Sequence, residues 1–318
     1  MRTTSINVPT LNRKLRNLRI PHGNFETAFM RGKDLFHLSD QGMPGSGIMV
    51  FGPSGVGKTT LTNALVDYGH KYFGPDSVMR TQLASGTTIK GVISNLLFGF
   101  GDPCANTGTT YQLSRRLVNT IKARGCRVII VDETQHLMPG GAPSKTLVDN
   151  ILNSFKILDE SDVSFVLAGM DSITQLWDAD PQIRSRFQTT YFLDTLHYPK
   201  DRRTWGGIVN KYRNTIEEFG LSVDCSEFED RLYAATKGAM RSLMLILTTA
   251  ICEAVEAGKT VVTVDHLHSA TQKQMDEQDG LPNAFDVDLE QITRFNREAH
   301  TKRRLAPMNR GLGEILST

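Results

Sequence analysis

The sequence predicts an α/β fold, a parallel sheet flanked by helices, with a small C-terminal α-helical lid domain behind it. Three observations predict it. The glycine-rich stretch Gly52-Pro53-Ser54-Gly55-Val56-Gly57-Lys58-Thr59 follows an apolar run and precedes a helical pattern, the context that a phosphate-binding G-x-x-x-x-G-K-[ST] loop requires. From residue 48 to about 196, short β-like runs alternate with longer amphipathic ones, the signature of a parallel sheet covered by helices. After Pro199 the strands stop and several helices follow, up to residue 278.

Taken in order, residues 48–51 form the strand that feeds the loop. Thr60 then opens a helix with Leu61, Ala64 and Leu65 on one face, so that its N-terminus points at the phosphates. Further strands are expected over 78–83, 128–131, 163–168 and 191–193, and covering helices over 89–98, 111–124 and 145–160. In the helical region, Gly220, Gly238 and Gly258 mark boundaries, and residues 261–264 read as a minor strand. These elements divide the chain into a nucleotide-binding domain over 25–198 and a helical lid over 199–280. Residues 1–24 carry Arg13, Lys14, Arg16 and Arg19 and read as a basic arm. Residues 281–318 read as a partner-docking tail, with Leu312, Ile315 and Leu316 as a short apolar anchor.

With 318 residues, 39% of them hydrophobic, the chain can bury a large core. Lys plus Arg exceed Asp plus Glu by two, so any basic surface must be local. Cys104, Cys126, Cys225 and Cys252 lack metal-ligand spacing, which argues against a zinc site or disulfide scaffold and for a reduced compartment. No apolar signal segment is visible at the N-terminus, and no run reaches the roughly 18 to 20 apolar residues of a membrane span. The expectation is a cytoplasmic protein without a membrane partner. The most apolar stretch, 243–251, contains Thr248 and Thr249 and precedes Glu253 and Glu256, as a buried core helix does.

The loop glycines allow positive φ and bring successive N–H groups close to a nucleotide's phosphates. Lys58 is then placed for the β- and γ-phosphates of ATP, and the Thr59 hydroxyl for Mg2+. Residues 127–133 form an apolar strand ending in Asp132 and Glu133. At the C-terminal edge of a parallel sheet, Asp132 can hold the Mg2+ shell and Glu133 can polarise a water. Transition-state charge also needs a cation, and residues 180–187 offer Arg186 first and Arg184 second. The alternative for either is a solvated surface arginine or an ion-pair partner of Asp178 or Asp180. Gly238-Ala239-Met240-Arg241 places one more arginine at a helix start.

The phosphate loop, Val131-Asp132-Glu133 with Gln135-His136-Leu137, Leu167-Ala168-Gly169, Asp180-Pro181-Gln182 with Ser185-Arg186-Phe187, and Gly238-Ala239-Met240-Arg241 stand in the order and spacing of AAA+ ATPases. More narrowly, the chain resembles the TniB/TnsC family of transposition regulators over roughly residues 25 to 275. That resemblance implies an ATPase that assembles as a ring or helical filament on double-stranded DNA and recruits or activates a DDE-type transposase together with a target-selection protein. It makes Lys58 and Thr59 phosphate-loop ligands, Asp132 and Glu133 the Mg2+ and water residues, Arg186 a finger acting on the neighbouring subunit, and Arg241 the second sensor. One departure is Met170, which stands where members often carry a polar first-sensor residue, so that role passes to Asp171 or Ser172. The resemblance also implies phosphate contacts from Lys90, Thr109 and Thr110 in the DNA channel. Arg115 and Arg116 are further candidates that suit a solvated helix face equally well. Rival functions are another AAA+ role, as a helicase loader or secretion ATPase, and a nucleotide-gated signalling switch that ignores DNA.

Overall fold

The computed structural model describes residues 6–20, 22–197, 199–274, 282–288 and 290–294; the anchor at Leu312, Ile315 and Leu316 lies outside them. The chain starts with α1 (Val8–Arg16), whose Asn7 cap accepts from the Thr10 N–H at 2.9 Å, and α2 (Gly23–Asp40), to which the sequence pattern assigns no element. Next come β1 (Gly47–Phe51), α3 (Lys58–Phe73), β2 (Val78–Gln82), α4 (Ile89–Gly99), α5 (Thr110–Arg124) and β3 (Val128–Asp132). α6 (Lys145–Leu158), β4 (Ser164–Gly169), the short α7 (Thr174–Ala179) and α8 (Pro181–Arg186), and β5 (Thr189–Phe192) complete the α/β part. The remainder holds α9 (Arg202–Glu217), β6 (Ser222–Asp224), α10 (Phe228–Thr236), α11 (Met240–Glu256), β7 (Val261–Thr263) and α12 (Val264–Gln272).

Two compact units result. The first lies within Pro21–Asp194 and is built on a five-stranded sheet in the order β2-β3-β4-β1-β5, parallel throughout. β1 and β3 are buried along their whole length, as strands covered on both faces must be. Side chains alternate with the pleat. Ile48, Val50, Val128, Ile130 and Val166 pack with Phe25, Leu35 and Phe36 of α2 and with Leu61 and Leu65 of α3. On the other face Val131, Phe165 and Leu167 meet Ile93 of α4, Ile151 of α6 and Ile183 of α8 around an apolar cavity of about 70 Å³.

The second unit is helical and is closed by the start of the chain. Leu11 and Leu15, both fully buried, join Trp205, Ile208, Leu232, Leu247 and Ile251 in its core. The expected basic arm is therefore a structural helix over Val8–Arg16. Leu11 and Leu15 sit four residues apart and make one apolar stripe, while Lys14 turns outward onto Glu218 at 2.5 Å. β6 and β7 add a two-stranded parallel ribbon, of which the sequence pattern showed only the second strand. Among the described residues no single helix is long and apolar enough to cross a membrane; α10 and α11 pass together only as a pair bent by 119°, and both are buried in this core.

One tryptophan reports on each unit: Trp177 donates to the Phe187 carbonyl at 2.8 Å, and Trp205 to that of Glu229 at 2.8 Å. Leu15→Ala is expected to lower the stability of the helical unit by about 2 to 5 kcal/mol. Urea unfolding followed by Trp205 fluorescence in a Trp177→Phe background should show the loss, with the Trp177 transition unmoved in the reciprocal background.

Candidate nucleotide-binding site

The loop after β1 is shaped by two close constraints. Gly52 has φ of 152°, and a Cβ there would stand 1.9 Å from the Leu193 carbonyl oxygen. Only glycine fits this approach, which follows from the pairing of β1 with β5 and continues as the Leu193 N–H donates to Phe51 O at 2.7 Å. Gly57, at φ 101°, is the N-cap of α3, so the 16-residue helix starts directly at the loop with its unpaired N–H groups and positive dipole end facing it. Lys58 is 6% exposed, and its Nζ donates at 2.7 Å to both the Gly52 and Pro53 carbonyls. The amine is thus folded into the cradle. Val56 is buried, Thr60 half-buried, and Ser54 and Thr59 open to solvent. Beside the loop, Phe25 lies 3.8 Å from where a Gly57 Cβ would stand and stacks on His22 at 5.8 Å. The sequence pattern gave no sign of this aromatic wall.

At the end of β3, Asp132 is fully buried. Its Oδ1 accepts the Glu133 N–H at 2.9 Å, and its Oδ2 accepts Arg80 Nη2 at 2.6 Å. The Thr62 hydroxyl lies 3.3 Å from the same Oδ2 and 3.0 Å from the Thr59 carbonyl, which ties the acid to the first turn of α3. Glu133 takes a left-handed backbone, φ 58° and ψ 38°, uncommon for a residue with a side chain. This conformation turns its carboxylate out of the sheet, where Gln135 Nε2 donates to it while Gln135 Oε1 accepts the Met170 N–H at 3.0 Å. Arg80 is thus a site residue that no motif singles out, whereas Gln135 belongs to the motif run after β3 and gains its contacts to Glu133 and Met170 from the fold.

The arginines fall differently from expectation. Arg186, the first choice as a finger, is turned inward: its side chain is 13% exposed, stacks on Phe155 at 4.8 Å and Phe165 at 5.9 Å, and pairs with Asp159. Burial pushes its ionisation below the usual guanidinium range. In this conformation it cannot serve a neighbouring subunit, because the aromatic side chains of α6 and β4 hold it. Arg184, two residues earlier in α8 and so on nearly the opposite side of the helix, is 51% exposed and lies over Trp177 at 4.6 Å and beside Asp178 at 3.4 Å. Arg241 stands in the first turn of α11 in the helical unit. Met170 is 44% exposed. Asp171, beyond it, has its carboxyl pushed up by burial, opposed by the charge of Lys58 and reinforced by Asp194, which places it in the electrostatic field of the loop lysine; Ser172 is half-buried next to it.

Of the candidate DNA contacts, Lys90 is exposed in the first turn of α4, and Thr109 and Thr110 stand at the start of α5. The Thr109 hydroxyl accepts the Gln112 N–H at 3.3 Å as part of a capping box. Arg115 and Arg116 have internal partners instead. Arg115 meets Glu160 at 2.5 Å; Arg116 meets Asp102 at 3.1 Å and braces the 102–107 loop through the Cys104 and Thr107 carbonyls. The four cysteines are free thiols, and burial pushes that of Cys126 up to about 12, which suits a packing role.

The glycine cradle, the helix N-terminus and the folded-in Lys58 fit a bound triphosphate. Among the described residues no cluster of three or more His, Cys, Asp or Glu side chains can hold a metal ion. Mg2+ binds through one or two protein oxygens together with substrate phosphates; Thr59 and Asp132 are the expected ligands, and they would hold it beside the loop.

A parallel sheet in this strand order, with the glycine loop after β1 and the acid pair after β3, is the AAA+ P-loop NTPase fold. Residues 43–177 match the model of the AAA domain family. Among solved structures, Cdc6p from Pyrobaculum aerophilum superposes with a TM-score of 0.64 at 13% identity, over 91% of this chain and 83% of that one. The ADP form of the Aeropyrum pernix ORC2 protein gives 0.62 at 16% identity, over 89% and 80%. The Aeropyrum pernix ORC1 protein in complex with DNA gives 0.60 at 16%, over 89% and 84%. At these identities the likeness is one of fold. No curated protein sequence matches the chain.

Arg186→Ala is expected to cost about 2 kcal/mol of stability through the lost desolvated stack on Phe155 and Phe165. Arg184→Ala, at a half-exposed pair, should change stability by less than about 1 kcal/mol. Chemical denaturation of the two variants beside wild type separates these outcomes.

Proposed function

We propose that this protein is an ATP-dependent DNA-binding regulator of transposition. Its protomers assemble on duplex DNA when they hold ATP, recruit or activate a DDE-type transposase, and come apart on hydrolysis. The observation that carries this reading is the convergence of the glycine loop, Lys58, Asp132 and Glu133 at the C-terminal edge of one parallel sheet. The motif order resembling TniB/TnsC regulators supports the transposition part. The fold likeness to ORC2 in its ADP form and ORC1 in complex with DNA supports the nucleotide and DNA parts.

Within this scheme Lys58 leaves the Gly52 and Pro53 carbonyls for the β- and γ-phosphates, a local change that needs only rotamer motion. Mg2+ bound with the nucleotide supplies charge neutralisation, its shell held by Thr59 and Asp132. Glu133, freed from Gln135, accepts a proton from the attacking water. Asp171, near Lys58, takes the first-sensor place, and Arg241 the second. Arg184 rather than Arg186 is the cation offered to a neighbouring protomer, so that loss of the γ-phosphate removes a contact specific to the assembled state. Lys90, Thr109 and Thr110 grip DNA phosphates and carry no sequence code. The likeness to ORC and Cdc6 proteins favours a second reading, a replication-initiator or helicase-loader switch that uses the same site. Capture of a transposase by the DNA-bound assembly separates the two.

Lys58→Ala should weaken ATP binding by about tenfold to a hundredfold, the worth of a charge-assisted hydrogen bond to phosphate. Glu133→Gln should keep ATP binding and lower hydrolysis by about a hundredfold or more, leaving assemblies on DNA that electron microscopy shows as long-lived rings or filaments. Rapid release of that variant from duplex DNA in a gel-shift assay would contradict the scheme. Wild-type DNA binding with ATP should fall steeply as salt rises.

A further inference from the structure

Arg80 belongs to no motif, yet it makes the closest charged contact to Asp132. It lies on the edge strand β2, in register with Ile130, two residues before the Gln82 and Asp132 pair. Period-two alternation therefore puts Arg80 and Asp132 on the same face of the sheet, the face that carries α3. Arg80 Nη2 donates to Asp132 Oδ2 at 2.6 Å; the acid's side chain is 0% exposed and the arginine's 22%. Arg80 Nε is buried without a hydrogen-bond partner. The guanidinium thus forgoes one of its bonds in order to stand beside the acid, a cost that a purely structural surface arginine avoids.

A buried carboxylate needs a cation or a full set of donors. Asp132 has the Glu133 N–H on Oδ1 and, on Oδ2, Arg80 at 2.6 Å with the Thr62 hydroxyl farther off at 3.3 Å, so that Arg80 is the closest of these donors and the charged one. We propose that Arg80 is an internal cation competing with Mg2+ for Asp132: it neutralises the acid in the nucleotide-free protein and sets a threshold for loading the metal with the nucleotide. This rests on the nucleotide-site reading above. Two effects of removing Arg80 act in the same direction. The nucleotide-free protein loses the partner of a buried charge and becomes less stable, and the metal-bound protein loses a like charge beside a divalent cation. Both lower the Mg2+ concentration that tight nucleotide binding requires. A residue that merely oriented Asp132 for the metal would give the opposite sign, so the direction of the change tells the two roles apart.

The experiment titrates Mg2+ into wild type, Arg80→Met and Arg80→Gln, each with a fixed concentration of N-methylanthraniloyl-ADP, and reads fluorescence. No turnover is involved. The Mg2+ concentration at half-maximal binding is expected to fall by about tenfold in Arg80→Met, as one like charge leaves the metal's surroundings. Arg80→Gln keeps a donor for Asp132 without the charge; it should shift the same way and serves where Arg80→Met does not fold. Thermal unfolding without nucleotide should show both variants below wild type, with a larger upward shift on adding Mg2+ and ADP. An unmoved or raised Mg2+ requirement in a folded variant overturns this inference alone. Wild type that fails to bind the fluorescent nucleotide at any Mg2+ concentration overturns the nucleotide-site reading and this inference together.

Discussion

A carboxylate with no exposure to solvent stands at the end of β3, and the surroundings of the site follow from its needs. Asp132 is placed there because β3 is enclosed between β2 and β4 and covered on both faces, so its last residue emerges inside the fold. Such a charge is costly to bury unless donors surround it. The backbone supplies one from Glu133, α3 brings the Thr62 hydroxyl near, and β2 supplies the Arg80 guanidinium. Three elements that meet the phosphate region are thereby tied to one acid. Glu133, next along the chain, accepts a left-handed backbone and is turned toward Gln135, which in turn reaches the end of β4 through the Met170 N–H. The acid pair therefore joins the loop helix to the strand ends on either side of it.

How much of this was legible in the sequence depends on how local each constraint is. The glycine loop, its strand and its helix are a contiguous pattern, so Gly52 to Thr60 and the presence of β1 and α3 could be read directly, although α3 starts at Lys58 and runs on to Phe73. β3 with its two acids was equally plain, since four consecutive apolar residues precede Asp132. Arg80 was not legible, since it lies more than fifty residues from Asp132, and Gln135 stands in the motif order with no role attached to it. Their roles arise from strand order, which periodicity does not encode. Arg186 shows the opposite case. Its position in the motif pointed outward, but Phe155 and Phe165 from two other elements give its guanidinium an inward seat. Arg115 and Arg116 were read as candidates from charge alone, and distant Glu160 and nearby Asp102 account for them.

The N-terminal region was misread for a related reason. Five basic residues among the first nineteen dominate its composition, whereas the two leucines that decide its place are few and lie four apart. A nine-residue helix with a small apolar stripe is marginal alone and gains its stability from tertiary burial. No window of local sequence shows the surface of α9 and α11 against which it packs.

That docking makes one folding unit out of the two ends of the chain. During synthesis on the ribosome, Val8–Arg16 emerges before the α/β unit, while the helices that cover Leu11 and Leu15 emerge only after that unit has been made. Domains generally fold as units while the chain grows, so the α/β unit can complete its sheet in the meantime, and the helical unit must close last. For that interval the stripe of Leu11 and Leu15 stays without its cover.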